Sequence, residues 1–161
     1  MRLLTPSAAL CLTLLAAACG PSGQKADAPA APKAAPPTEA EAQAMLASLP
    51  APYNAADLAN GKKQFARCRS CHTLVEGGPN MTGPNLHGVF GRPAGAQPKY
   101  NYSPAVKEAG FAWDAQKLDQ WLANPRTFLP GNKMSFPGLQ DETDRRDLIA
   151  YLKVETGYGR S

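Results

Sequence analysis

The chain lacks most of what marks a large or membrane-spanning protein. At 161 residues it holds one ordinary domain and excludes a large multidomain enzyme. No apolar run reaches the ~20 residues that a spanning helix needs. Charge of one sign is scarce too, since 17 Lys and Arg exceed 13 Asp and Glu by only four. That small excess is far from the clustered positive charge of a nucleic-acid binder, so no nucleic acid is expected as a partner. Aromatic residues reach only 7% and cysteines number four. By contrast Pro (16) and Gly (14) are plentiful, and an extended segment is expected beside a packed core smaller than the chain.

The N-terminus reads Met1-Arg2, then an apolar stretch from Leu3 to Ala18 that closes on Ala16-Ala17-Ala18-Cys19. One positive charge, a short apolar core and a small-residue end are the layout of a signal peptide, assigned to residues 1–18. Leu15 to Cys19 resembles the lipobox of bacterial lipoproteins, with Ala16 where Leu is commonest. It predicts lipid attachment at Cys19, a membrane-associated periplasmic location and a membrane partner through the anchor. Simple cleavage before Cys19, leaving a soluble periplasmic protein, is the alternative. From Gly20 to Pro52, eleven Ala and seven Pro fill 18 of 33 positions and no aromatic residue occurs. Residues 19–52 therefore read as the lipid-attachment Cys and a flexible linker. Thr38-Glu39-Ala40-Glu41 has the form of a capping box that could start a helix through Leu49, but so weakly apolar a helix is assigned to the spacer. The folded domain is expected over residues 53–161.

Once Cys11 leaves with the leader and Cys19 becomes the first residue, two cysteines remain in the domain. They stand in Cys68-Arg69-Ser70-Cys71-His72, the CxxCH pattern of c-type haem attachment. Two thiols one helical turn apart can each add to a haem vinyl group, and the adjacent His72 can then serve as an axial ligand. A thioredoxin-like redox CxxC is the competing reading, but no βαβ pattern surrounds it. The second axial ligand decides between electron transfer and ligand binding or catalysis. Its candidates are Met81, His87 and Met134, the last in a Pro130–Phe136 loop without helical periodicity.

The stretch Thr82-Gly83-Pro84-Asn85-Leu86-His87-Gly88-Val89-Phe90-Gly91-Arg92 is followed by Asn124-Pro125, Pro130-Gly131-Asn132-Lys133-Met134 and Asp147–Lys153. In that order these motifs resemble the mitochondrial-type class I cytochromes c, the group that includes the bacterial cytochromes c2. The resemblance implies one covalent haem c on Cys68 and Cys71, iron ligation by His72 and Met134, and a Pro84 carbonyl that accepts from His72. It places Arg92, Tyr102 and Trp113 around the haem propionates. Trp121 stands where the family usually has a Tyr near the methionine sulfur. Asn132 replaces a frequent Thr, and Asn80 a loop-bridging His of vertebrate members.

Local signals agree with a small all-α domain of about four to five short helices around the haem. Leu58, Gly61, Phe65 and Cys68 form one helix face. Ser103-Pro104 opens a helix that Gly110 can stop, and Asp114 caps another, ended by Asn124-Pro125, whose Leu118, Trp121 and Leu122 face inward. Asp141, Glu142 and Asp144 lead the last helix, with Leu148, Ile149, Tyr151 and Leu152 on its buried side. Phe65, Trp121 and Tyr151 are assigned mainly to core packing. The function implied is a monomeric one-electron carrier, not an enzyme. Cytochrome bc1 is the implied donor, and a terminal oxidase or photosynthetic reaction centre the acceptor. Lys62, Lys63, Arg67, Arg69, Lys99, Arg126 and Lys133 are the candidates for docking to acidic surfaces on those partners. A haem enzyme or gas sensor would need an open sixth position, which the Pro130–Met134 motif disfavours.

Overall fold

The computed structural model describes residues 36–157; the signal-peptide and Cys19 assignments lie outside them. Among the described residues there are six α-helices, one 3₁₀ turn and no strand beyond an isolated Pro93–Ala112 bridge. None of these helices is long and apolar enough to cross a membrane. The expected small all-α fold is present, and its count exceeds the expected four to five helices through α1 (Glu39–Ser48) and through Asn124-Pro125, which does two jobs. It ends α4 (Ala115–Ala123) and starts the single-turn α5 (Pro125–Phe128), with the Asn124 side chain accepting from Thr127 N. Proline at the first helical position fits that restart.

The first helix differs most from expectation. Residues 39–48 are not spacer: α1 (Glu39–Ser48) forms under the expected capping box, in which Thr38 Oγ1 accepts from Glu41 N and Glu41 Oε2 accepts from Thr38 N. It packs on the domain through Ala42, Leu46 and Leu49, which share a buried cluster with Ala56, Ala150 and Val154. Burying Leu46 and Leu49 is worth roughly 2 kcal/mol apiece, which tertiary packing adds to a helix too weak to stand alone.

The domain is built on the crossing of α2 (Leu58–Phe65) and α6 (Glu142–Glu155). α2 is capped by Asp57 and α6 by Asp141, each side chain accepting two backbone N–H groups. Gly61 supplies the flat spot: a Cβ there would sit 2.3 Å from the Asp147 carbonyl oxygen and 2.6 Å from Tyr151 Cβ. α6 has two working faces. Leu148, Ile149 and Leu152 join the main core with Val89, Leu118, Leu122 and Leu139, whereas Ala150 and Val154 seat α1. α3 (Pro104–Lys107), capped by Ser103, and α4, capped by Asp114, form as expected, and Gly110 follows α3 with a φ of +71°.

Asp147 fastens the crossing. Its buried carboxylate accepts from Asp57 N at 3.1 Å, from Asn60 Nδ2 at 2.9 Å and from the Arg146 guanidinium at 2.7 Å. Burial pushes this carboxyl up, but the bonds from Asn60, Arg146 and Asp57 outweigh it and hold it below the ordinary value. A carboxyl depressed in the folded state stabilises fully above its unfolded value, near 3.9, and loses that contribution as pH falls through the folded value. Asp147→Asn is therefore expected to cost about 1–3 kcal/mol at pH 7. The gap from the parent should narrow below about pH 4. Denaturant unfolding at pH 7, 5 and 3 checks this; a gap that stays constant would remove the carboxylate from the account.

Candidate functional site

A cleft of about 1350 Å³, counted to its open mouth, enters the core between the Cys68–His72 segment and the Asn132–Phe136 loop. All nine residues that the sequence assigned to the cofactor line it: Cys68, Cys71, His72, Pro84, Arg92, Tyr102, Trp113, Trp121 and Met134. The remaining wall is largely apolar, with Leu86, Val89, Leu118, Leu122, Leu148 and Leu152. Phe65, assigned mainly to core packing from sequence, also lines it while packing against the core, whereas Tyr151 does not line it and packs against Phe65 at 5.9 Å between ring centroids. Of the other ligand candidates, Met81 is 45% exposed and His87 lies by the Leu74 carbonyl at 3.3 Å; neither lines the cleft.

The cysteines sit just past α2, with Cys68 N donating to Phe65 O and Cys71 N to Cys68 O, so the chain leaves the helix in tight turns. Both thiols are free. Burial pushes the Cys68 thiol up to about 11, with Cys71 nearby adding to the effect, so it stays protonated near neutral pH. His72 Nδ1 lies 2.7 Å from the Pro84 carbonyl oxygen. A carbonyl can only accept, so Nδ1 carries the proton and Nε2 is the ring's lone-pair donor. Burial lowers the His72 pKa, against an opposing pull from the Pro84 bond, which favours the neutral, metal-binding imidazole. Gly83 presses its backbone on the ring: a Cβ there would meet His72 Cε1 at 2.3 Å.

The Met134 loop is ordered by Asn132. Its Nδ2 donates to the Pro125 and Leu129 carbonyls, both at 2.8 Å, and its Oδ1 accepts from Met134 N at 2.8 Å. The departure from Thr at this position thus keeps a loop-ordering side chain. Trp121 meets Trp113 edge to face at 5.4 Å, with Phe128 touching both rings. Arg92 reaches inward to the His87 and Asn85 carbonyls, each at 3.0 Å, and to Gln97 Oε1. Burial lowers its pKa and raises that of Tyr102, which the Arg92 charge partly offsets. Sequence reasoning missed Tyr100, which lines the cleft and donates to the Thr82 carbonyl at 2.6 Å. Its spacing from Tyr102, whose ring it meets at 4.6 Å, was the available signal.

Two free thiols one turn apart, a neutral imidazole, a thioether and an apolar slot wide enough for a flat macrocycle fit a covalent haem, and no wall residue contradicts it. The family model for cytochrome c matches residues 58–154. The chain belongs to the cytochrome c family. Cytochrome c of Kluyveromyces lactis is 44% identical over 105 residues, covering 65% of this chain and 96% of that protein. Cytochrome c of Chlamydomonas reinhardtii is 48% identical over 103 residues, covering 63% of this chain and 92% of its own. Among solved structures, cytochrome cH from Methylobacterium extorquens superposes with a TM-score of 0.57 at 45% identity, covering 61% of this chain and 98% of that one. This cytochrome c binds one covalent haem through its cysteine pair, Cys68 and Cys71, and is an electron carrier, not an enzyme. Helix α1 precedes the matched segment.

Proposed function

We propose that this cytochrome c is a periplasmic carrier tethered through lipidated Cys19, taking electrons from a bc1-type complex and giving them to a terminal oxidase or photosynthetic reaction centre. His72 and Met134 are the two iron ligands in this reading. When bound, the haem supplies a one-electron Fe(III)/Fe(II) couple. The single observation that carries the ligand assignment is that His72, its Nδ1 committed to Pro84, shares one cleft with Met134. Thioether ligation favours the reduced state and suits a carrier. The chain contributes by holding both ligands on short, internally bonded loops, so that little rearranges when the charge changes. Arg92, Tyr102 and Trp113 offer polar groups for the propionates, whose burial without donors would cost several kcal/mol.

Docking draws on the basic residues. Lys62, Lys63, Arg67, Arg69, Lys99, Arg126 and Lys133 are all exposed, and Arg67 and Lys133 also line the cleft. These two are positioned to steer an acidic partner surface toward the cofactor. The tether would add effective concentration, because carrier and partners share one membrane.

The test is a visible spectrum of haem-loaded protein, oxidised and reduced, for the parent and Met134→Ala. The parent should show the weak sulfur-to-iron charge-transfer band and resist carbon monoxide when reduced. Met134→Ala should lose the band and bind carbon monoxide. A parent without the band would overturn Met134 ligation and the carrier mechanism with it. Cys19→Ser should move the protein from the membrane fraction to the soluble periplasm; an unchanged distribution refutes the lipid tether.

A further inference from the structure

The peptide that receives the His72 proton is itself held at both ends. The carbonyl of the Pro84–Asn85 peptide accepts from His72 Nδ1, and the N–H of the same peptide donates to Asn80 Oδ1 at 2.9 Å. In a planar trans peptide the C=O and N–H point in opposite directions, so gripping one aims the other. Asn80 is held in turn, since its Nδ2 donates to the Pro98 carbonyl at 2.9 Å, across to a second loop. On the far side of the peptide, buried Asn85 has every polar group engaged. Its Nδ2 reaches Thr73 Oγ1 at 2.7 Å and Val75 O at 3.0 Å, its Oδ1 accepts from His87 N, and its carbonyl accepts from Arg92. Thr73 is the residue after His72, so the asparagine pair ties the imidazole's own segment to the peptide that orients it.

We infer that Asn80 is a positioning residue for His72: by gripping the Asn85 N–H it aims the Pro84 carbonyl, and so sets the direction and strength of the bond that makes the imidazole a better electron donor to iron. The inference rests on His72 as an axial ligand. A half-buried asparagine that only tied two loops together would need just its bond to Pro98. The second bond, to the peptide whose carbonyl accepts from the His72 ring, is what gives it reach into the site.

The experiment uses the haem-loaded full chain with Asn80→Ala, Asn80→Asp and, as a neutral destabilising control away from the cleft, Asn60→Ala. Two quantities are read: the solvent exchange rate of the His72 Nδ1 proton by NMR, and the reduction potential. Asn80→Ala should raise the exchange rate by roughly tenfold, the effect of weakening one hydrogen bond. It should also shift the potential upward, because a weaker donor stabilises Fe(III) less. Asn80→Asp keeps an acceptor for the Asn85 N–H while losing the donor to Pro98, so its exchange should stay slow and its potential should not rise. Asn60→Ala should lower stability with neither change. If Asn80→Ala leaves exchange and potential at parent values, or Asn60→Ala reproduces both shifts at equal loss of stability, the positioning role is overturned and Asn80 is only a loop tie. A parent spectrum without nitrogen-ligated low-spin haem would instead remove the His72 ligation on which the inference rests.

Discussion

Gly61→Val is expected to leave the haem-loaded protein less stable by about 3 kcal/mol or more, and Gly61→Ala by slightly less. Helix propensity argues the opposite way, since Ala in a helix interior is worth about 1 kcal/mol over Gly. The crossing decides the sign. An added Cβ would lie 2.3 Å from the Asp147 carbonyl oxygen and 2.8 Å from its carbonyl carbon, both backbone atoms that cannot rotate away. α2 and α6 must then move apart, and the bonds that Asp147 receives from Asp57 and Asn60 lengthen with them. Denaturant titration followed by far-UV circular dichroism is the measurement. A midpoint equal to or above the parent's would show that the two helices have slack that the structure does not contain.

The second large effect is expected from withholding the cofactor. A Cys68→Ser, Cys71→Ser protein recovered without haem should lose its cooperative thermal transition and most of its near-UV dichroism. The reason is volumetric. If roughly 300 Å³ of the cleft stayed open and dry, the cost at ~24 cal/mol per Å³ would be about 7 kcal/mol. A domain of this size has only about 5–15 kcal/mol in total. Collapse is the alternative, but the wall residues come from α2, α3, α4, α6 and the segments that connect them, so collapse must sacrifice the packing of all of them. A haem-free protein that melts cooperatively with parental helix content would mean that the apolar wall closes on itself.

The site was legible largely because covalent and coordinate chemistry is written in fixed spacings. Cys68, Cys71 and His72 form a contiguous motif, and the Met134 loop is set off by Pro130 and Gly131 from the helices around it. Three caps were equally readable, since Ser103, Asp114 and Asp141 stand at the starts placed from sequence and accept backbone bonds there, whereas the caps at Asp57 and Asn124 came only with the structure. What escaped is what depends on partners distant in sequence. α1 turns Ala42 inward beside Leu46, and alanine carries too little apolar surface to mark a face, so only the receiving surface of α6 reveals its role. Phe65 is an apolar side chain whose neighbour is either core or cofactor, a distinction hydropathy does not contain. The Asn80 grip on a backbone N–H five residues ahead leaves no pattern at all.

The two faces of α6 carry a thermodynamic consequence. Leu148 and Leu152 line the cleft, while Ala150 and Val154 receive α1, so one rigid rod is shared by two ligands in the broad sense: the cofactor and the chain's own N-terminal helix. Whatever free energy one spends ordering that rod, the other is spared, and linkage makes the saving reciprocal. Haem capture and docking of α1 are then expected to reinforce one another, each tighter once the other is in place.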